Sequence, residues 1–381
     1  MPEASEPTIV FLLNSLNVGG SERKTVRLAN ALASGDRPIA IAYLSGPELL
    51  RSQVYPTVVT INLQRRGKFS FRALRRLVAL VEEQEVGTLV AVNLYPALYA
   101  LLARALCRRV RPRVVASVNT TEFATRKEKL QMLLYRFVLR RVDSVVFGAE
   151  RQRRLWCGRY GLDRKPDRTC VLYNAIDASE YSRAAVAPAA IGQQRPGRVM
   201  LGTVGAFRLE KAQVDLVRAV HELAARGVDV GAIIVGDGPQ RPEIEREVLR
   251  LGVQRQVCLV GEVPDVRPYL AAMDVFVLPS TVETFSNAVL EAMAMSCPVV
   301  ASCVGGMEEM LQFGGGRLYP ARDIRSLCDC LMPLVVDAGA RRQLGEQARR
   351  AVEGHFSFDR MLSDFRRYVL HADVQPSASG V

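Results

Sequence analysis

Short runs rich in β-branched residues alternate along the chain with helix-length amphipathic segments. TIVFLL at 8–13 leads into SERKTVRLANALA, and GTLVAVN at 87–93 into YPALYALLARAL. RVVASV at 113–118 precedes a long helix ending near Arg141, and SVVF follows at 144–147. Alternation of this kind predicts parallel sheets flanked by helices. It lapses from about Glu180 to Arg198, where EYSRAAVAPAAIGQQRPGR has neither periodicity nor a bulky apolar run. It then restarts with VMLGTV at 199–204, a helix from Lys211 to about Ala225, VGAIIVG at 230–236 and a helix to about Leu251. VCLVG at 257–261, DVFVLP at 274–279, a helix at 287–296 and PVVAS at 298–302 complete the second series. Each series opens with a strand, a glycine-containing turn and a helix, at Gly19–Gly20 and again at Gly202–Gly205.

The predicted class is α/β, with two Rossmann-like doubly wound domains facing a central cleft. A length of 381 residues supports two domains, because single cores stop growing near roughly 250 residues. The expected division is 1–180, a linker at 181–198, a second domain at 199–356, a helix at 357–371 crossing back to the first, and a tail at 372–381. Hydrophobic residues at 49% and charged residues at 24% let both halves build a core. No apolar run reaches the roughly 18 residues that span a bilayer, and no basic residue precedes the first apolar run, so a cytoplasmic chain without a signal peptide is expected. The eight cysteines lack C-x-x-C spacing, which argues against a zinc site and for reduced thiols.

Charge adds an asymmetry. Residues 1–180 hold 29 Lys and Arg against 16 Asp and Glu, net +13, which leaves 22 against 23, net −1, for 181–381. A solvated surface accounts for this, and so does an anionic partner held by the first domain.

In doubly wound sheets, ligands sit beyond the carboxyl ends of the strands, where helix N-termini present unpaired amides to anions. Four such ends stand out in the second half. In TVGAFRLEKAQ, Arg208 and Lys211 are placed to meet a phosphate. In IIVGDGPQ, Gly236 and Asp237 follow a strand, and a plain turn explains them equally well. In LVGEVPDVRPYL, the irregular turn at Val263 and Pro264 could contact a planar base or simply be a turn. The fourth, PSTVETFSNAVLEAMAMSCPVVAS, puts Glu283 in a loop and Glu291 eight residues on, a little over two helical turns, so both carboxylates can face one side. Between them Phe285, Ser286 and Asn287 offer amides at a helix start. Carboxylates there suit sugar and ribose hydroxyls on either side of a diphosphate.

The segment ETFSNAVLEAMAMSCPVVAS followed by VGGMEEML resembles the signature of retaining glycosyltransferases of family 4, with its two glutamates separated by seven residues. LNVGGSERKTVRLANAL, FRLEK, IIVGDGP, VGEVPDVRPYLAAMDVFVLPS, GGGRLYPARD and HFSFDRM fall in the family's order. The resemblance implies the GT-B fold, with the donor bound mainly by the second domain and the acceptor by the first. It implies that Lys211, helped by Arg208, neutralises the donor diphosphate and that Glu291 binds the ribose. It further implies that Glu283 and the amides of Phe285, Ser286 and Asn287 hold the sugar and its phosphates, that Gly19 and Gly20 let a loop close over the donor, and that the turn at Val263 brackets the base. Two positions depart from the pattern. Ala206 stands where the family has an arginine, and Asn119 where a histidine is frequent; the three histidines, His221, His355 and His371, all lie in the second half. Asn119 is then expected to hydrogen-bond a donor hydroxyl.

The sequence therefore points to a metal-independent enzyme that uses a nucleotide-diphosphate sugar as substrate, needs no cofactor and acts on a glycan or lipid-linked saccharide in cell-surface polysaccharide or glycolipid synthesis. No Asp-x-Asp pair occurs. The basic segments 65–80, 104–113 and 126–141 interleave Arg and Lys with Leu, Phe and Tyr, as a surface resting on anionic lipid would, so peripheral attachment to the cytoplasmic leaflet is expected. The alternatives are an epimerase or phosphorylase on the same fold, and a non-catalytic membrane-surface protein with a relic donor site. Nucleic-acid binding is disfavoured by 7% aromatic content and the lack of a motif. A dehydrogenase is disfavoured because neither opening turn reads G-x-G-x-x-G.

Overall fold

The computed structural model describes residues 8–35, 37–119, 126–162, 166–192 and 198–370. They divide into two compact units, one running to Leu172 and resuming at Leu362, the other spanning Tyr173–Met361.

The first unit is built on seven parallel strands: β1 (Ile9–Leu13), β2 (Ile39–Tyr43), β3 (Val59–Asn62), β4 (Thr88–Val92), β5 (Arg113–Val118), β6 (Ser144–Phe147) and β7 (Thr169–Val171). Their order is β3-β2-β1-β4-β5-β6-β7. Helices α1 (Gly20–Leu32), α2 (Phe71–Glu83), α3 (Leu94–Leu106), α4 (Arg126–Arg141) and α5 (Glu150–Tyr160) form the crossovers. The inner strands are apolar on both faces because helices cover both: β1, β2 and β6 are buried at every position. Each fully buried Val, Leu or Ile contributes about 1.5–3 kcal/mol. Edge strand β3 is exposed or half-buried throughout.

The second unit repeats the plan with β8 (Val199–Val204), β9 (Val230–Val235), β10 (Val257–Gly261), β11 (Val275–Leu278), β12 (Val299–Ser302) and β13 (Gly316–Tyr319), ordered β10-β9-β8-β11-β12-β13. Its helices are α6 (Val214–Ala225), α7 (Arg241–Leu251), α8 (Arg267–Ala271), α9 (Asn287–Ala294), α10 (Met307–Leu311), α11 (Ile324–Val336) and α12 (Ala338–His355). In both sheets the strand order reverses at the first strand of the unit, between β1 and β4 and between β8 and β11. That reversal opens a crevice at the carboxyl edge.

Residues 173–192, read from the sequence as a domain end and linker, pack with the second unit. Tyr173 stacks on Phe285 at 4.9 Å, Ile176 bridges to Ser357, Arg183 donates to the Met273 carbonyl, and the Ala189 amide reaches Pro268 O at 2.9 Å. Low hydrophobicity hid these contacts because most of them use backbone groups. The last helix, α13 (Phe358–Phe365), continues into one π-helical turn, Arg366–Leu370. In the first unit Phe365 stacks on Phe11 at 5.7 Å, and Arg113 donates to Val369 O at 2.5 Å.

Candidate functional site

In the second unit the loops leaving β8, β9, β11 and β12 run side by side along the carboxyl edge. After β8 the Gly205 amide bonds Val235 O at 3.0 Å, and the Phe207 amide bonds Asp237 O at 2.8 Å. Gln213, 2% exposed, reaches back with its side-chain amide to Ala206 O at 3.1 Å, so it fixes the turn from inside. The sequence pattern predicts a helix from Lys211. The chain instead makes a 3-10 turn, Leu209–Lys211, and passes Ala212 at φ 49° before α6 begins. A left-handed alanine costs on the order of 1 kcal/mol. Here it turns Lys211 out of the α6 axis and along the sheet edge.

Glu283 arrives from β11, the strand on the other side of the switch point. Its Oε2 lies 2.6 Å from Lys211 Nζ, across 72 positions of sequence, with side-chain exposures of 28% for the lysine and 13% for the glutamate. Partial removal from water sets this pair apart from surface pairs, which are worth about 0–1 kcal/mol. One of the three ammonium donors of Lys211 goes to Glu283, and the others remain for a ligand.

The Glu283 loop is held from three sides. The Thr281 amide and hydroxyl both donate to Glu210 O, at 2.7 and 3.2 Å. The Gly306 amide donates to Thr284 O at 2.8 Å, and Asn174 Nδ2 donates to Phe285 O at 3.0 Å. Gly305, at φ 55°, packs so closely that a Cβ there would run into the Glu283 carbonyl. Phe285 is 4% exposed and sits against Tyr173 and Phe356, the latter at 5.4 Å.

Ser286 caps α9, its hydroxyl accepting from the Val289 amide at 3.4 Å. That spends the hydroxyl and leaves the amides of Asn287 and Ala288 open at the helix start. Glu291 is half-buried in the second turn of the same helix. Arg208 is exposed and makes no ion pair among the described residues. Gly236 is at φ 130°, where a Cβ would strike Gly205 O. Its amide bonds Gly261 O at 2.8 Å, which lays the Asp237 loop beside the half-buried Val263. The Asp237 carboxylate turns to Arg241 at 3.1 Å. Lys211, Glu283 and the α9 start therefore come together in one loop cluster. Asp237 is turned to its own helix, and Arg208 points to solvent.

In the first unit Gly19 precedes α1 with extended φ −161°, and Gly20 is its first residue. Asn119 follows β5 and donates from Nδ2 to Asn93 Oδ1 at 3.4 Å. It shares a cavity of about 20 Å³, room for one water, with Ser117 and Lys24. Lys24, on α1, donates to Leu172 O at 2.9 Å, and withdrawal of its ammonium from water pulls its pKa down to about 7. Sequence reading passed over Lys24, which looks like any polar helix residue. It also passed over Gln213, Asn174 and Gly305; of these only the glycine pair at 305–306 carries a local signal.

Residues 18–180 match the model of Glycosyltransferase Family 4, and residues 198–337 match that of Glycosyl transferases group 1. The chain carries both glycosyltransferase domains. Over 160 residues it is 32% identical to N-acetyl-alpha-D-glucosaminyl L-malate synthase of Bacillus anthracis, covering 42% of each chain. Over 252 residues it is 26% identical to the lipopolysaccharide core biosynthesis mannosyltransferase LpcC of Rhizobium leguminosarum bv. viciae, covering 63% of this chain and 68% of that one. The chain spans about half the length of most of the curated relatives it matches. Among solved structures, HepE of Anabaena in complex with UDP superposes with a TM-score of 0.80 at 19% identity, covering 96% of this chain and all of that one. The fold of these glycosyltransferase domains is GT-B.

Proposed function

We propose that the chain is a retaining glycosyltransferase that moves a sugar from a nucleotide-diphosphate-sugar donor to a glycan or lipid-linked saccharide, in cell-surface polysaccharide or glycolipid synthesis at the cytoplasmic face of a membrane. The Lys211–Glu283 pair at 2.6 Å beside the open amides of α9 carries the reading. A diphosphate bound there meets one ammonium, the exposed Arg208 and two helix-end amides, a set that neutralises developing negative charge without a metal. Glu283 then faces the sugar, and Glu291 accepts from the ribose hydroxyls. The acceptor oxygen attacks the anomeric carbon on the face the diphosphate leaves. The C–O bond breaks with its electron pair on the phosphate oxygen, and that oxygen takes the acceptor's proton. Retention follows without a histidine, with Asn119 hydrogen-bonding a donor hydroxyl. The names of HepE, crystallised with UDP, and of the lipopolysaccharide mannosyltransferase support the donor and acceptor classes.

A thermal-shift screen against UDP-, GDP- and ADP-sugars tests the donor site. One donor is expected to raise Tm in the wild type. Lys211→Ala, which removes a charge-assisted contact of about 1.5–3 kcal/mol, is expected to weaken its affinity roughly 10- to 100-fold, and Glu291→Ala by a similar amount. Failure of every nucleotide sugar to stabilise the wild type would overturn the assignment. Acceptor-dependent release of nucleoside diphosphate separates transfer from epimerisation and phosphorolysis.

A further inference from the structure

The ends of α3 and α4 enclose an open groove of about 660 Å³ in the first unit, within the roughly 300–1,000 Å³ of small-molecule pockets. Leu98, Leu101, Leu102 and Val110 line it, with Phe137 at its mouth, 57% exposed. Arg104, Arg108, Arg109, Arg111 and Arg141 also line it, and no carboxylate does. Two carboxylates lie near these residues. Asp143 pairs with Arg104 at 2.5 Å, and Glu82 accepts from the backbone amides of Arg108 and Arg109 at 2.7 and 3.4 Å. The guanidinium groups of Arg108, Arg109, Arg111 and Arg141 make no ion pair among the described residues, and all four residues are exposed. Arg141 lies 6.0 Å from the Phe137 ring.

We infer that this groove binds one anionic phospholipid of a bilayer surface, its phosphate among the arginines and the start of an acyl chain along Leu98, Leu102 and Phe137. Four cations without an ion-pair partner among the described residues, two of them near Glu82, stand on the rim of an apolar floor and match a ligand with a phosphate at one end and hydrocarbon at the other. A soluble phosphate would leave the floor wet, and a neutral lipid would leave the cations unanswered. Glu82 holds the backbone of Arg108 and Arg109, which sets the spacing of two rim cations. The proposal rests on the membrane part of the reading above and narrows it from a basic surface to one site. It is independent of sugar transfer.

The test compares the full-length wild type, Arg108→Ala/Arg109→Ala/Arg111→Ala, and Arg66→Ala/Arg72→Ala/Arg75→Ala, whose exposed positions lie on and before α2. Flotation uses phosphatidylcholine vesicles with and without phosphatidylglycerol. Titration uses monomeric dihexanoyl phosphatidylglycerol, the matching phosphatidylcholine, and glycerol phosphate. The wild type is expected to bind the anionic vesicles and the short-chain anionic lipid. The groove variant is expected to lose roughly a hundredfold in affinity for both, from three surface arginines, while the α2 variant keeps its affinity for the short-chain lipid. Phe137→Ala is expected to weaken the short-chain lipid and leave glycerol phosphate unchanged. Vesicle binding that survives in the groove variant and is lost in the α2 variant overturns the groove while the membrane reading stands. Absence of vesicle binding in the wild type overturns both. Glycerol phosphate binding as tightly as the lipid, or a nucleic-acid duplex displacing the short-chain lipid at lower concentration than vesicles do, also overturns the site.

Discussion

After β8 and β11 the second unit sends out a lysine and a glutamate that meet at 2.6 Å, whereas after β1 and β5 the first sends out Gly19–Gly20 and Asn119, which meets Asn93 at 3.4 Å. The strand order reverses at the same place in both sheets. One topology therefore offers two crevices, and the loops decide their chemistry. The second crevice exposes ionised groups near helix-end amides, a setting for a charged ligand. The first has uncharged amides, and its cation, Lys24, is turned inward to Leu172 O at 2.9 Å. Its excess positive charge lies elsewhere, on the outer helices.

Four changes break or sharpen that contrast, in descending size. Glu283→Ala is expected to lower kcat about 10²- to 10³-fold, the usual cost of removing a group that acts on the transition state; a fall below tenfold would move that work to another residue. Gly305→Ala is expected to remove about 2–4 kcal/mol from the second unit, because the new Cβ strikes the Glu283 carbonyl at a φ of 55°. A denaturant midpoint within a few tenths of a kcal/mol of the wild type would mean that the loop yields freely.

The third change is in pH. The Glu247 carboxylate, hydrogen-bonded by Arg250 and Arg218, is held down to about 2, below an unfolded value near 4.3. Its stabilisation is present above that value and is lost as pH falls through about 2. Lys24 is lowered as well, from an unfolded value near 10.4 to about 7, in its case because burial disfavours the charged form. The unfolded chain holds the extra proton between those limits, so stability in the first unit rises with pH across that window. Denaturation midpoints against pH should lose the acid slope in Glu247→Gln and the alkaline slope in Lys24→Met; parallel profiles for wild type and both variants would refute the assignment. The smallest effect is expected for Asn119→Ala, up to about tenfold in turnover from one neutral hydrogen bond, and unchanged turnover removes Asn119 from the site.

The sequence by itself determined the alternation of strand and helix, the restart near Val199, and the cluster from Glu283 to Glu291 around a helix start, because each depends on residues close in the chain. Strands β5, β6, β8 and β10 fall where the apolar runs predicted. β2, a buried central strand, and the edge strands β3, β7 and β13 were not picked out; the edge strands are four residues or fewer, and their burial comes from one neighbouring strand. Tertiary structure alone decided which loops meet. Strand order brings Lys211 to Glu283 across 72 positions, and the packing of residues 173–192 delivers Asn174 to the Phe285 carbonyl. Local periodicity carries no record of sheet order, so the partnership that defines the candidate site appears only once β8 and β11 lie side by side.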